Sequence, residues 1–190
     1  MIPTREQAFA ILKKHNESQA LIRHALSVEA VMRHYAAQYG EDVEYWGAVG
    51  LLHDLDYEKY PEEHCAKVFE LLREENVDEP FIRSIASHGF GLCSEIEPTH
   101  RMEKVLYATD ELTGLIHACA LMRPSHSVMD LEVKSVKKKF KQHSFAAGVN
   151  REVILHGAQM LDIPLEDLIT GCIDAMRGAA DEIGLGMQTQ

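Results

Sequence analysis

The sequence predicts an all-α protein, and three observations lead to this prediction. Apolar residues recur at helical spacing in most segments, alternation with a period of two is missing, and capping residues precede several of these segments. The 190 residues include only 12 Gly and 6 Pro, so the chain contains few helix breakers. Because 46% of the residues are apolar and 26% are charged, we expect one globular domain, residues 1–190, with a substantial core.

Local signals place the helices in order along the chain. A capping box that begins at Thr4 opens the first helix, and Ser18 and Asp42 cap the second and third. Pro61 lies in the first turn of a fourth helix, and a loop rich in glycine and proline separates the fifth from the sixth. The helices are expected at about residues 4–14, 18–39, 42–55, 61 onward, 80–89, 99–121, 130–142, 150–161 and 165–183.

Composition and charge argue against several classes of protein. The chain has 30 acidic and 19 basic residues, and this net charge of −11 disfavours stable nucleic-acid binding. No apolar run approaches the roughly 18–20 residues of a membrane span, and residues 1–6 show no signal peptide, so a cytoplasmic protein is expected. The cysteines form no CxxC pair and are interpreted as small buried residues in a reducing compartment; they are Cys65, Cys93, Cys119 and Cys172.

Several ionisable residues occur where the sequence otherwise predicts a buried core. His53 and Asp54 directly follow an apolar helix, and His24 lies on the edge of an apolar stripe. Asp110 lies in mid-helix, where aspartate has poor propensity, and His88 closes another helix. Each has an ordinary alternative, either a core histidine bonded to a carbonyl or an exposed aspartate. Burying such groups costs free energy unless a partner compensates, and a metal ion is one such partner.

An ordered set of histidines and aspartates, each on its own predicted helix, carries a resemblance to a known family. The set comprises His24, the pair His53-Asp54, and Asp110. In this order the residues resemble the H…HD…D signature of the HD-domain superfamily of metal-dependent phosphohydrolases. Two local phrases are similar to the metal-binding helix end and the last ligand helix of that family, namely Leu51–Asp56 and Thr109–Leu115.

The resemblance covers about residues 18–120 and implies a single-domain HD-type helical bundle. Residues 18–120 would form its metal-binding core, and residues 121–190 a C-terminal helical extension. The segment Arg123-Pro124-Ser125 separates the two parts, because it breaks the long sixth helix.

In the family, the residues that match the signature are metal ligands, here His24, His53, Asp54 and Asp110. Binuclear branches add two histidines before the last aspartate, and His64 and His88 fall in that interval. The resemblance then implies two ions, with Asp54 bridging them and orienting a metal-bound water. For His64 the alternative is a solvated residue on a charged turn. Imidazole and carboxylate ligands suit Fe, Mn, Co, Ni or Zn, and Mg is a further candidate.

Basic residues are needed near such a site if it binds phosphate. A lysine-rich helix over residues 134–141 either lines the site or forms a solvated face balanced by nearby acidic residues. Two arginines close to helix boundaries are weaker candidates. The residues considered for contact with substrate phosphate are Lys134, Lys138, Arg123 and Arg151.

The function that the resemblance implies is phosphate-ester hydrolysis by metal-activated water. The expected partner is a small phosphorylated molecule, such as a nucleotide, rather than a nucleic acid or a membrane. The acidic pattern of the alarmone-hydrolysing branch and the adjacent histidines of the cyclic-dinucleotide branch are both missing. Two alternatives stay open: a diiron oxygenase of the HD type, and a non-catalytic metal-binding sensor or scaffold. The substrate, the metal and the oligomeric state are not predicted.

Overall fold

The computed structural model describes residues 1–187, which contain nine α-helices. The all-α prediction is confirmed for these residues, where the only extended pairing is an isolated bridge between Phe90 and Ser94. No described helix is both long and apolar enough to cross a membrane. The last three residues of the predicted domain 1–190 and extension 121–190 lie outside the described part. The helices are α1 Arg5–His15, α2 Gln19–Tyr39, α3 Val43–Leu52, α4 Lys67–Glu74, α5 Glu79–Ala86, α6 Arg101–Leu121, α7 Val133–Phe140, α8 Arg151–Leu161 and α9 Leu165–Gly178.

The predicted caps begin the first three helices. Thr4 and Gln7 form a reciprocal capping box at α1, and the side chains of Ser18 and Asp42 accept backbone N–H groups at the starts of α2 and α3. Gly40 ends α2 in the left-handed conformation, at φ +70°. Because side chains satisfy the free N–H groups of the first turn, these caps determine where each helix starts.

The third helix lies in the centre of the fold. Every residue from Trp46 to Leu52 is buried, which explains why this part of α3 is apolar on all sides. Helix α2 packs against α3 and α6, and α1 packs on α3. His53 and Asp54 therefore emerge from α3 inside the protein, between α2 and α6.

The C-terminal helices cover α2 and α6. Helix α8 packs against α6, and α9 packs against α2 and α6. The segment between α7 and α8 is held by Arg151, whose buried guanidinium donates to backbone carbonyl oxygens. The accepting residues are Lys139, Phe140, Gln142, Phe145, Ala146 and Val149.

The predicted fourth helix is wrong in its first half. The chain instead forms a short 3-10 turn at Pro61–Glu63, and α4 begins only at Lys67. Cys65 separates the two with a left-handed backbone, φ +66°, a conformation that does not continue a right-handed helix. Phe69 of α4 is half-buried and packs against the core.

The close contact between α6 and α8 depends on Gly157. A Cβ atom at this position would lie 2.4 Å from the Cα atom of Ala108. We expect Gly157→Ala to lower the free energy of unfolding by about 1–3 kcal/mol, because the helices must separate. Gly178→Ala is the matched control, since a Cβ at Gly178 meets no atom within 4 Å. Urea unfolding followed by circular dichroism measures both, and equal stability of the two variants would contradict this packing.

Candidate metal centre

All six residues predicted as metal ligands converge on one cavity of about 430 Å³. They reach it from different elements of the bundle. His24 lies on α2, His53 and Asp54 follow α3, His64 follows the 3-10 turn at Pro61–Glu63, His88 lies in a 3-10 turn after α5, and Asp110 lies on α6. Five of them line the cavity, whereas His53 is fully buried behind it.

The first cluster consists of His24, His53, Asp110 and one oxygen of Asp54. The Nε2 atoms of His24 and His53 lie 2.9 Å and 3.2 Å from Oδ1 of Asp110. The same two nitrogens lie 3.5 Å and 3.3 Å from Oδ2 of Asp54. Two imidazole nitrogens and two carboxylate oxygens therefore surround one point.

The second cluster consists of His64, His88 and the other oxygen of Asp54. The Nε2 atoms of His64 and His88 lie 3.4 Å and 3.3 Å from Oδ1 of Asp54. These two nitrogens are 3.1 Å from each other. Asp54 thus gives one carboxylate oxygen to each cluster and lies between them.

Helix ends set the orientation of two imidazoles. His53 Nδ1 lies 2.7 Å from the carbonyl oxygen of Gly50, and His88 Nδ1 lies 2.7 Å from that of Ile85. The last carbonyl groups of a helix have no partner within the helix, so these rings donate Nδ1–H to them. The Nε2 lone pair of each neutral ring then points into the cavity.

Asp56 orients the third imidazole in the same way. Its Oδ1 accepts from Nδ1 of His64 at 2.7 Å, and its Oδ2 accepts from the amide of Val68 at 2.9 Å. The carboxylate is fully buried. Since both oxygens are bonded, Asp56 connects the start of α4 to the ring of His64 and directs Nε2 of that ring towards Asp54.

The donor set fits divalent transition metals. Neutral imidazole lone pairs and carboxylate oxygens repel one another at 3.1–3.5 Å unless a cation lies between them. Each of three Nδ1 atoms has a carbonyl or carboxylate partner, as is usual for metal-binding histidines. Nitrogen and oxygen ligands without thiolate are the donors that such ions accept.

Without metal, a proton on His53 reduces the repulsion between the ligand atoms of the first cluster. Burial alone would lower the pKa of His53, but the carboxylates of Asp54 and Asp110 outweigh it and raise that pKa well above its ordinary value. Burial alone would raise the pKa of Asp54 and of Asp110, yet His53 and the neighbouring imidazoles hold both well below the usual range. The two carboxylates therefore remain ionised and available to a cation.

The four basic residues predicted to contact phosphate do not line this cavity. Arg123 pairs with Asp130. The guanidinium of Arg151 donates to backbone carbonyl groups of the segment before α8. Lys134 and Lys138 lie on an exposed surface of α7. Among the described residues, the cavity wall contains no lysine or arginine. A role for these four residues in phosphate binding stays an untested prediction.

The sequence interpretation missed several side chains around the cavity. Asp56 lies two residues after Asp54, and this additional carboxylate was the signal in the sequence for a supporting residue. The cysteines were predicted to be buried, which is wrong for Cys93, because this residue is exposed at the cavity. Its place in a loop rich in glycine and proline was the available signal. Tyr57 and Leu92 also line the cavity, and little in the sequence indicates this.

Comparisons with known proteins agree with this arrangement at the level of the family. The sequence profile of the HD domain family matches residues 21–169. A tRNA (cytidine(56)-2'-O)-methyltransferase of Picrophilus torridus is 32% identical over 96 residues, which make up 50% of this chain. The chain spans only 28% of the length of that relative. No solved structure matches the chain.

The contact of Asp56 with His64 predicts an effect confined to the second cluster. We expect Asp56→Asn to weaken metal binding at this cluster by about 10–100-fold, because the ring of His64 loses its charged partner. The first cluster should keep its affinity. Calorimetric titration of metal-free protein with Mn²⁺ measures both binding steps.

Glu103→Gln is the matched control for this experiment. Glu103 is also a fully buried carboxylate, but it accepts from Arg83, Ser84, Thr99 and His100 rather than from any residue of the two clusters. We expect the Glu103→Gln variant to bind metal with the same affinity as the unchanged protein. Equal affinities for Asp56→Asn and the control would show that Asp56 does not support the second cluster.

Proposed function

We propose that this chain, which belongs to the HD domain family, is a metal-dependent phosphohydrolase acting on a nucleotide or another small phosphate ester. The observation that carries the proposal is the position of Asp54, whose two carboxylate oxygens face separate clusters of metal-binding side chains. One ion would be held by His24, His53, Asp54 and Asp110, and a second by Asp54, His64 and His88.

The donor set favours Fe, Mn, Co, Ni or Zn over ions that prefer oxygen alone. When bound, two such ions would lower the pKa of a water nucleophile and neutralise charge on the phosphoryl oxygens. The chain's own contribution is to fix the donors. The buried partners of His53, His64 and His88 hold these rings, so little reorganisation is needed when the substrate arrives.

The charge of the cavity supports a requirement for metal. Its ionisable lining includes Asp54, Asp110 and Glu111, and its described wall has no lysine or arginine. With the imidazoles neutral, as metal binding requires, these carboxylates would repel an anionic ester in the absence of the ions. Because bound cations are the largest local charges in such a site, they reverse the sign of the field that the phosphate experiences.

The walls of the cavity support an organic ester rather than inorganic phosphate. Tyr57 and Leu92 are 46% and 57% exposed and lie at the cavity, while Val149 and Val153 line another part of it. The ring of Tyr57 meets that of His64 edge to face, with centroids 5.2 Å apart. These apolar groups would contact the organic part of the substrate, for which a nucleoside is of suitable size and polarity.

The proposal predicts turnover that depends on Asp54. Protein loaded with Mn²⁺ or Co²⁺ should release phosphate or nitrophenol from a panel of nucleotides and nitrophenyl phosphate esters. Asp54→Asn should lower kcat/KM by at least about 100-fold, because the shared carboxylate loses its charge and both ions are held less well. Phosphate release and nitrophenol absorbance measure this loss.

Asp174→Asn is the matched control, because Asp174 is an exposed aspartate of α9 that pairs with Arg177. This variant should retain full activity. Metal-loaded protein that hydrolyses none of the esters would contradict the proposal and favour a non-catalytic metal-binding role. Oxygen consumption by iron-loaded protein, without phosphate release, would instead favour oxygenase chemistry.

A further inference from the structure

Two cysteines lie in contact beside the second cluster. The Sγ atoms of Cys65 and Cys93 are 3.0 Å apart, and Sγ of Cys65 lies 3.8 Å from Nε2 of His88. Cys65 directly follows His64, while Cys93 lies in the loop after His88. The sulfur pair therefore joins the two segments that carry the imidazoles of this cluster.

The backbone around the pair is shaped for this contact. A Cβ atom at Gly89 would lie 2.4 Å from Sγ of Cys93 and 2.5 Å from Sγ of Cys65, so the sulfurs occupy space that only glycine leaves free. The amides of Leu92, Cys93 and Ser94 all donate to the carbonyl oxygen of Gly89, at 2.9–3.0 Å. This tight turn holds Cys93 over Cys65.

His64 does not combine with the two cysteine sulfurs to form a further metal site. The three residues are close enough to form a group of potential ligands. However, Nδ1 of His64 faces Asp56, and Nε2 faces Asp54 and His88. Neither ring nitrogen is left for an ion between the two sulfurs, so redox chemistry of the pair explains the contact better than metal binding.

We propose that Cys65 and Cys93 form a reversible disulfide, which makes this pair a redox-responsive modification site at the edge of the metal centre. A disulfide has an S–S distance of about 2.05 Å, so the sulfurs need to approach by only about 1 Å. Cys93 is exposed and Cys65 is buried, so an oxidant reaches Cys93 first. Cys119 and Cys172 are both buried, and within residues 1–187 neither is paired with another cysteine.

The oxidant of the proposed reaction is hydrogen peroxide. The sulfur of Cys93 attacks the peroxide, the O–O bond breaks, and Cys93 becomes a sulfenic acid while one water leaves. The sulfur of Cys65 then attacks that of Cys93, the S–S bond forms, and a second water leaves. With hydrogen peroxide, two thiols lose two electrons and two protons in total. A small dithiol reverses the reaction by two exchange steps through a mixed disulfide.

The expected consequence of oxidation is confined to the second cluster. We expect closure of the disulfide to shift Cys65 and the adjacent His64, whose Nε2 lies close to Asp54 and His88. We expect the disulfide to weaken binding of an ion at this cluster and to leave the first cluster unchanged. This consequence rests on the proposed metal site, whereas formation of the disulfide does not.

Thiol counting on the full chain tests the disulfide directly. Reduced protein should show four titratable thiols in denaturant and two after stoichiometric hydrogen peroxide, with a mass loss of two hydrogen atoms and a cross-linked peptide that contains Cys65 and Cys93. Dithiothreitol should restore all four thiols. Four remaining thiols, or a stable sulfenic acid on Cys93 with Cys65 still reduced, would overturn the proposal.

Two variants separate the pair from the other cysteines. Cys93→Ser should form no intramolecular cross-link, and since Cys93 is exposed, this change is compatible with folding. Cys119→Ser, the matched control, should form the cross-link as the unchanged protein does. A cross-link that persists in Cys93→Ser would assign the reaction to other cysteines and overturn the proposal.

Metal titration tests the consequence separately. Oxidised protein should bind Mn²⁺ at the second cluster about tenfold more weakly than reduced protein, while peroxide-treated Cys93→Ser should show no change. Equal affinity of oxidised and reduced protein would overturn the proposed effect on the metal centre. The disulfide itself would still be established by the thiol count, so the two results are distinguishable.

Discussion

The arrangement of the metal centre depends on one shared carboxylate. Asp54 faces His24 and His53 with one oxygen and His64 and His88 with the other. It takes this position because residues 46–52 of α3 are all buried and the helix ends in the interior, between α2 and α6. A helix that ended at the surface would leave the same pair of residues in solvent, where the four imidazoles could not meet around one carboxylate.

The fold supplies the hydrogen-bond partners that orient three of these imidazoles. His53 and His88 each follow a helix and donate Nδ1–H to the carbonyl oxygen three residues earlier. Each of these bonds satisfies a carbonyl group at the helix end and orients the imidazole ring. Asp56 serves His64 in the same manner and also binds the amide of Val68. Local backbone geometry therefore turns three Nε2 atoms towards Asp54, and the same turns bring Cys65 and Cys93 together beside them.

Most of the helices and the residues of the metal centre were predictable from the sequence, and the exceptions have physical reasons. Helical periodicity and capping residues predict the helices, and the family resemblance carried by His24, His53, Asp54 and Asp110 predicts which groups converge. The interruption at Cys65 was not predictable, because its left-handed backbone depends on tertiary contacts. The role of Arg151 was also not predictable from the sequence, because a buried arginine bonded to carbonyl groups has the same sequence pattern as one that binds phosphate.

Anomalous X-ray diffraction from crystals grown with Mn²⁺ or Co²⁺ tests the central claim most directly. The account predicts two anomalous peaks about 3.5–4 Å apart, one beside His24, His53 and Asp110 and the other beside His64 and His88. The carboxylate of Asp54 should lie between them. A single peak at saturating metal, with His64 and His88 contacting no ion, would contradict the shared-carboxylate site and with it the two-ion centre.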